Sequence, residues 1–551
     1  MASHPSTAGL ENATAYINGR VFTVDENQTW AEAFIVSAEG VFALVGSTDT
    51  IVAAARQHGM VVHDLNGRFV MPGIHDAHVH LLTAGLSHFS NIHLGLDEIM
   101  PMSEATEKLK SSSCGCEYAH AFGRWLSADV FRIKDFDRAH LDEEYPDTPV
   151  IIRAGAGHSL HLNTVALRES GYDLANESYP NGAYVGRRPD GSLNGEVAEL
   201  ATTKALLACP KPPVAHVRRA LKYAVHRLHQ AGVTSCQEAA TNTLLLSTLR
   251  DMDRDGQLQL DAYTHIVYAP EFIAEESQPE LIQLLDRAES FKTQHVDTRF
   301  VKIILDGIPL DPYFTQASLD KDGNVEQEKL FLYDLKEAVL RYDQRGMTCK
   351  IHCTGEGATR LALDAIEAAR AQNPNGPRHE IAHCSGVHPV PTCSMSANLA
   401  MYLDEYPRFR PLNTTAEMSP SVFFCQTFSP EEDALQDWNF PQMLRHGAHI
   451  SIGSDWGVPE SPDLLPGLEG ILDGVGSGDR AKGAAMVLRM LTLAGAEAVG
   501  RDKETGSIQA GKRANFIELD RDLSLGEPGA FTDAKVRRTW FEGELVYTAS
   551  V

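Results

Sequence analysis

Strand-like apolar runs alternate with stretches of helical periodicity through the whole middle of the chain, and this alternation restricts its architecture more than any other feature. Eight candidate strands can be read: Phe69–His80, Val233–Ala239, Leu260–Val267, Phe300–Gly307, Met347–Cys353, His379–Cys384, Ser421–Cys425 and His449–Asp455. Eight βα units predict an α/β fold, a (β/α)8 barrel of the TIM type, whose chemistry sits at the C-terminal ends of its strands. The barrel is placed at residues 71–504. From Ala84 to Gly232 the chain is far too long for an ordinary crossover, so an inserted subdomain, residues 85–230, is expected after the first strand. Short strands separated by turns mark both ends of the chain, for example Ala33–Val36 and Asn515–Leu519. They predict a small β-sandwich domain composed of residues 1–70 and 505–551.

Composition narrows the function. The 551 residues carry 48 Lys and Arg against 74 Asp and Glu, a formal net charge of −26. Binding to nucleic acid or to an anionic membrane surface needs clustered cations, which the chain does not concentrate anywhere, so a small molecule is the expected partner. The N-terminus shows no basic region followed by an apolar one, and the most apolar helical stretch, Gly483 to Gly500, is interrupted by Arg489 and Glu497. Nine scattered cysteines lack the spacing of a disulfide framework and point to a reducing compartment, the cytoplasm.

The strongest local signal is Pro72-Gly-Ile-His-Asp-Ala-His78-Val-His80. Side chains two apart on a strand share a face, so His78 and His80 can offer two imidazoles to one ion. Alone, the pair reads equally as surface or capping histidines. Lys350-Ile-His352-Cys, Glu380-Ile-Ala-His383-Cys and Gly453-Ser-Asp455-Trp place three more metal-binding side chains at strand ends, which converge on the mouth of a barrel. Lys302 sits inside an apolar strand, where a lysine is costly unless neutralised or paired. Period-two alternation sets it on one face with Ile304 and Asp306. Two readings follow, an ion pair with Asp306 or with a glutamate that fills the barrel, or a modified lysine that ligates metal.

The ordered set Pro-Gly-x-x-Asp-x-His-x-His, Val-Lys-Ile-x-x-Asp-Gly, His-x-x-Gly-Glu-x-Ala, a strand-end histidine and Gly-Ser-Asp-Trp resembles the amidohydrolase superfamily, in the branch of the N-substituted formamide deformylases. The resemblance implies a metal-dependent hydrolase of a carbon–nitrogen bond in an amide or an N-acyl or N-formyl compound. It implies that His78 and His80 bind one metal, that His352 and His383 bind a second, and that Lys302 bridges them as a carbamate. Asp455 would ligate the first metal and act as general acid and base. Nitrogen and oxygen donors suit zinc, with manganese or iron as alternatives. His75, Glu356 and Glu238 depart from the usual pattern. A homodimer is among the assemblies the resemblance allows.

Arg153-Ala-Gly-Ala-Gly-His158-Ser-Leu-His161 and Asp190-Gly-Ser-Leu-Asn-Gly195 lie in the insertion and resemble the same branch. His158 is a catalytic candidate, and Arg153, His161 and Trp456 are candidates for contact with substrate. Glu196 and Glu199 are the alternative source of a bridging carboxylate. Trp125, Tyr313 and Phe314, with Trp456, are candidate walls of an apolar pocket. Cys353 and Cys384 alternate to the opposite strand face and are not counted as ligands. A decarboxylase, isomerase or lyase on the same barrel is the alternative reaction, because fold and ligands do not determine chemistry.

Overall fold

A computed structural model describes residues 10–111, 122–179, 182–309, 313–385, 405–420 and 438–550. Its centre is a sheet of eight strands, β1 (Ile74–Val79), β2 (Val233–Thr241), β3 (Asp261–Ala269), β4 (Val296–Ile304), β5 (Thr348–Cys353), β6 (His379–His383), β7 (Thr414–Met418) and β8 (His449–Ile452). They pair in chain order, every one parallel to the next. Between β8 and β1 the sheet closes without a ladder. Asp455 N donates to His78 O at 2.8 Å, His80 N to Trp456 O at 2.8 Å, and Ser454 N to the Asp76 carboxylate at 2.9 Å. The barrel is thus sutured by the residues that flank the His-x-His and Gly-Ser-Asp motifs.

Helices cover the sheet because their apolar residues recur at helical spacing. In the helix Val214–Gln230, Val217, Ala220, Leu221, Ala224, Val225 and Leu228 form one buried stripe. Gly232, with φ at 81°, turns the chain from this helix into β2, a conformation that costs glycine little. Among the described residues no helix is long and apolar enough to cross a membrane.

Between β1 and β2 the chain forms a six-stranded sheet of its own, from Ile92–Pro101 to Leu193–Glu199. The two ends of the chain meet in another six-stranded sheet, where Phe516–Leu519 pairs with Phe69–Pro72. A four-stranded sheet from the first 64 residues packs beside it through one aromatic cluster. Phe516 lies 4.5 Å from Trp540 and 4.9 Å from Phe34, centroid to centroid.

Three strand readings need correction. Phe69–His80 is two strands in two sheets, divided at Gly73, where a Cβ would meet Thr234 Oγ1 at 2.2 Å. Ser421–Cys425 lies outside the described residues, and the seventh barrel strand is the earlier Thr414–Met418. The fourth strand ends at Ile304, so Asp306 stands beyond it and does not follow its alternation.

Candidate active site

The C-terminal ends of β1, β5 and β6 bring His78, His80, His352 and His383 to one cavity, and His158, from the turn between two strands of the inserted sheet, extends them into an arc of five imidazoles. Ring centroids are 5.3 Å apart for His80 and His78, 4.7 Å for His78 and His383, 4.6 Å for His383 and His352, and 5.8 Å for His352 and His158. Lys302 from β4 and Asp455 from the turn after β8 line the same cavity. Lys302 Nζ is 3.3 Å from His78 Nε2. Asp455 Oδ1 is 3.3 Å from His80 Nε2 and 3.7 Å from His78 Nε2, and Oδ2 is 4.0 Å from His383 Nδ1. His383 and Asp455 hold left-handed backbones, φ 65° and 53°, which turn both side chains sharply inward where their strands end. Such conformations cost about 1–3 kcal/mol each and persist where the surrounding structure enforces them.

Buried carboxylates fix the imidazoles. Glu417 Oε2 is 2.6 Å from His78 Nδ1, Asp306 Oδ1 is 3.2 Å from His352 Nδ1, and Glu199 Oε2 is 2.8 Å from His158 Nδ1. In His352 and His158 Nε2 is the nitrogen left over, and in His78 it faces Lys302 Nζ. Asp306 is itself held by the backbone N–H groups of Ala317, Thr354 and Gly355 at 2.8–3.0 Å. Its neighbour Gly307 leaves the space that Glu199 and Thr315 occupy, since a Cβ there would meet their oxygens at 2.3 and 2.0 Å. The Asp-Gly pair therefore serves two histidines at once. Beneath them, Lys350 donates to Ala77 O and faces Glu380, and His75 bonds Ser235 Oγ at 2.9 Å in a space that Gly495 opens.

Electrostatics favour neutral imidazoles beside an ionised carboxylate. Burial, reinforced by Lys302, drives the His78 pKa far below the ordinary value, and burial with the charge of His352 does the same to His383. Burial also lowers His352, against the pull of Asp306. For Asp455 burial alone would raise the pKa, but His80, His383 and Lys302 together hold it below the usual carboxylate range. Lys302 is pushed down to about 8 by burial and by Lys350. Burial lifts Glu417 to about 7. In His158 burial is outweighed by Glu199, and the pKa rises.

A divalent cation fits this donor set. The ligand atoms of His78, His80 and Asp455 all lie within 4.8 Å of one another. Among the described residues Asp455 Oδ1 is sealed from solvent and no donor meets it in good hydrogen-bond geometry, His80 Nε2 at 3.3 Å being its nearest polar neighbour, an expensive state for an anionic oxygen unless a cation completes it.

Other candidates fall elsewhere. Lys302 does not pair with Asp306, whose oxygens are taken by His352 and the backbone. His161 is turned away: its ring lies 4.4 Å from Phe136 inside the inserted sheet, and among the described residues neither nitrogen has a hydrogen-bond partner. Trp456 contributes its backbone to barrel closure while its indole bonds Glu460 O at 3.3 Å, outside the cavity. Trp125 is in the core of the insertion, Tyr313 hydrogen-bonds Glu196, and Phe314 is 37% exposed. The aromatic walls are instead Phe272 and Trp438. Glu199 reaches the site through His158 and Thr315, and Glu196 does not line the cavity. Cys353 is packed in the apolar core outside the barrel lumen. Glu417 is not among the sequence candidates: it stands between Thr-Thr-Ala and Met-Ser-Pro, with no apolar run around it to make a buried acid stand out.

The description "Amidohydrolase family" matches residues 61–547. Over 96% of its length the chain is 25% identical to 97% of the N-substituted formamide deformylase of Arthrobacter pascens. Protein LONG AFTER FAR-RED 3 of Arabidopsis thaliana is 24% identical over 98% of this chain and 92% of its own. Among solved structures, an uncharacterized metal-dependent hydrolase from Pyrococcus horikoshii has the same fold, with a TM-score of 0.68 at 20% identity over 94% of this chain and 99% of its own. With a match across nearly its whole length and a polar barrel mouth of this composition, the chain belongs to the amidohydrolase family.

Proposed function

We propose that the protein is a metal-dependent hydrolase that cleaves a carbon–nitrogen bond in an amide, with an N-acyl or N-formyl group on the acyl side. The observation that carries this reading is the sealed, unpartnered Asp455 Oδ1 beside His78 and His80, within a family whose relatives include a formamide deformylase. His78, His80 and Asp455 would hold one divalent ion, expected to be zinc, with manganese or iron as alternatives. His352 and His383 would hold a second, and Lys302, as a carbamate, would join the two. Bound there, the metal supplies a Lewis acid for the carbonyl and brings the pKa of the attacking water toward about 7. Asp455, ionised at neutral pH, takes the proton of that water and passes it to the leaving amine nitrogen. His158, oriented by Glu199, presents Nε2 to the same cavity and is the second group able to carry a proton.

Hydrolysis of N-formyl and N-acetyl amines in 18O-labelled water tests the reading. Label in the released carboxylic acid supports it. Release of CO2, or a product isomeric with the substrate, would establish the decarboxylase or isomerase alternative.

Glu417 provides a second check. Because it fixes His78 through Nδ1 and also faces the backbone N–H of His383 at 3.4 Å, Glu417→Gln is expected to weaken metal binding about 10–100-fold. Zinc titration of the folded variant measures this, and an unchanged affinity would remove Glu417 from the ligand-orienting set.

A further inference from the structure

Arg153 lines the cavity together with Leu206, Phe272, Ile273 and Glu275, and only part of its hydrogen-bonding capacity is used. One guanidinium nitrogen, Nη1, meets Glu275 Oε1 at 2.6 Å. The same carboxylate faces Lys211, whose Nζ is 3.4 Å from Oε2 and donates to the Glu275 backbone oxygen. Two cations thus share the Glu275 carboxylate, and the buried Asp129, in register with Arg153 on the neighbouring strand, is the other acid whose charge reaches the guanidinium without bonding it. Among the described residues Glu275 is the only hydrogen-bonding partner of the guanidinium, whose side chain remains 19% exposed. Donors are therefore left over at a cavity wall made by Leu206, Phe272 and Ile273 with Glu275 beside them. A guanidinium edge matches a carboxylate in shape and charge.

We propose that Arg153 anchors a carboxylate on the substrate, so that the amides preferred are N-acyl amino acids and related N-acyl carboxylic acids rather than neutral formamides. This rests on the hydrolase reading above. The competing role is a strut that ties the inserted sheet to the loop after β3, and it makes a different prediction, because a strut does not distinguish charged from neutral ligands.

N-formyl-L-phenylalanine and N-formyl-2-phenylethylamine differ only by the carboxylate. Their binding to the full-length, metal-loaded protein is measured by calorimetry in an Asp455→Asn background, which keeps both compounds intact. The carboxylated compound is expected to bind at least about 30-fold more tightly, in line with hydrogen bonds to charged groups. Arg153→Met should abolish that preference and leave the neutral compound within about threefold, while Arg153→Lys should keep part of it. Equal affinities in the Arg153 protein would overturn the proposal. So would a preference that survives Arg153→Met, which would put the carboxylate on the metal, or an equal loss for both compounds, which would make Arg153 the strut. Failure of the active enzyme to hydrolyse either compound would count against the deformylase-type reading alone, since the binding comparison needs no turnover.

Discussion

Asp455→Asn is expected to keep most of the bound metal and to lose about 10²–10⁴-fold in turnover, the usual contribution of general acid–base catalysis. Asparagine is nearly the same size, so the turn after β8, the Ser454–Asp76 contact and the Asp455 N–H to His78 O bond should all persist. What changes is chemical. Asp455 Oδ1 is sealed, and His80, His383 and Lys302 hold the carboxylate ionised, so it is an acceptor at any pH near neutrality. An amide oxygen can still face a cation, but it cannot take and return a proton. Steady-state kinetics with metal analysis of the same samples separates the two roles. Turnover within a few-fold of wild type at full metal content would move the proton transfer to another group, and His158 is the one positioned for it.

The sequence disclosed the parts of the site that lie at strand ends in register with the barrel. His78, His80, His352, His383 and Asp455 follow apolar runs long enough to be read as strands, and a parallel barrel brings all such ends to one face. Lys302 was visible because a cation in an apolar strand violates the burial rule. What failed was inference from nearness along the chain. Trp456 adjoins Asp455, but the left-handed backbone of Asp455 sends the two side chains to different sides. Pairing Asp306 with Lys302, one of the readings open for that lysine, extends the alternation two residues past the end of β4. Placing the seventh strand at Ser421–Cys425 hid Glu417, because Thr-Thr-Ala-Glu-Met is a poor strand by composition and is stabilised by its neighbours on both sides. Phe272 and Trp438 belong to segments after different strands, and only the tertiary fold makes them face each other across a cavity.

Lys302→Met should abolish most activity, by at least about 10²-fold, while making the metal-free protein more stable at neutral pH. Methionine fills nearly the same space in the lumen without a charge. In the folded metal-free chain the ammonium is buried beside His78 and near Lys350, which holds its pKa down at about 8. In the unfolded chain it returns to the ordinary value of about 10.4. Between those two values the unfolded state keeps a proton that the folded state has released, so stability rises with pH across that window. Below about 8 both states are protonated and the cost of burying the charge is present in full. Thermal melts of metal-free protein should therefore show the methionine variant ahead at pH 7, with the advantage shrinking toward pH 10. The loss of activity has the opposite origin. Only the neutral amine can attack the carbon of CO2, losing one proton from nitrogen as the N–C bond forms, and the resulting carbamate offers two oxygens where an ammonium would repel a cation. Reconstitution of the unmodified protein should accordingly respond to bicarbonate, and the methionine variant should not. If Lys302→Met melts earlier than wild type at pH 7 and reconstitution is indifferent to bicarbonate, Lys302 is an ordinary member of a buried ion network, and Glu417, the acid that its charge reaches, becomes the first candidate for the missing anionic ligand.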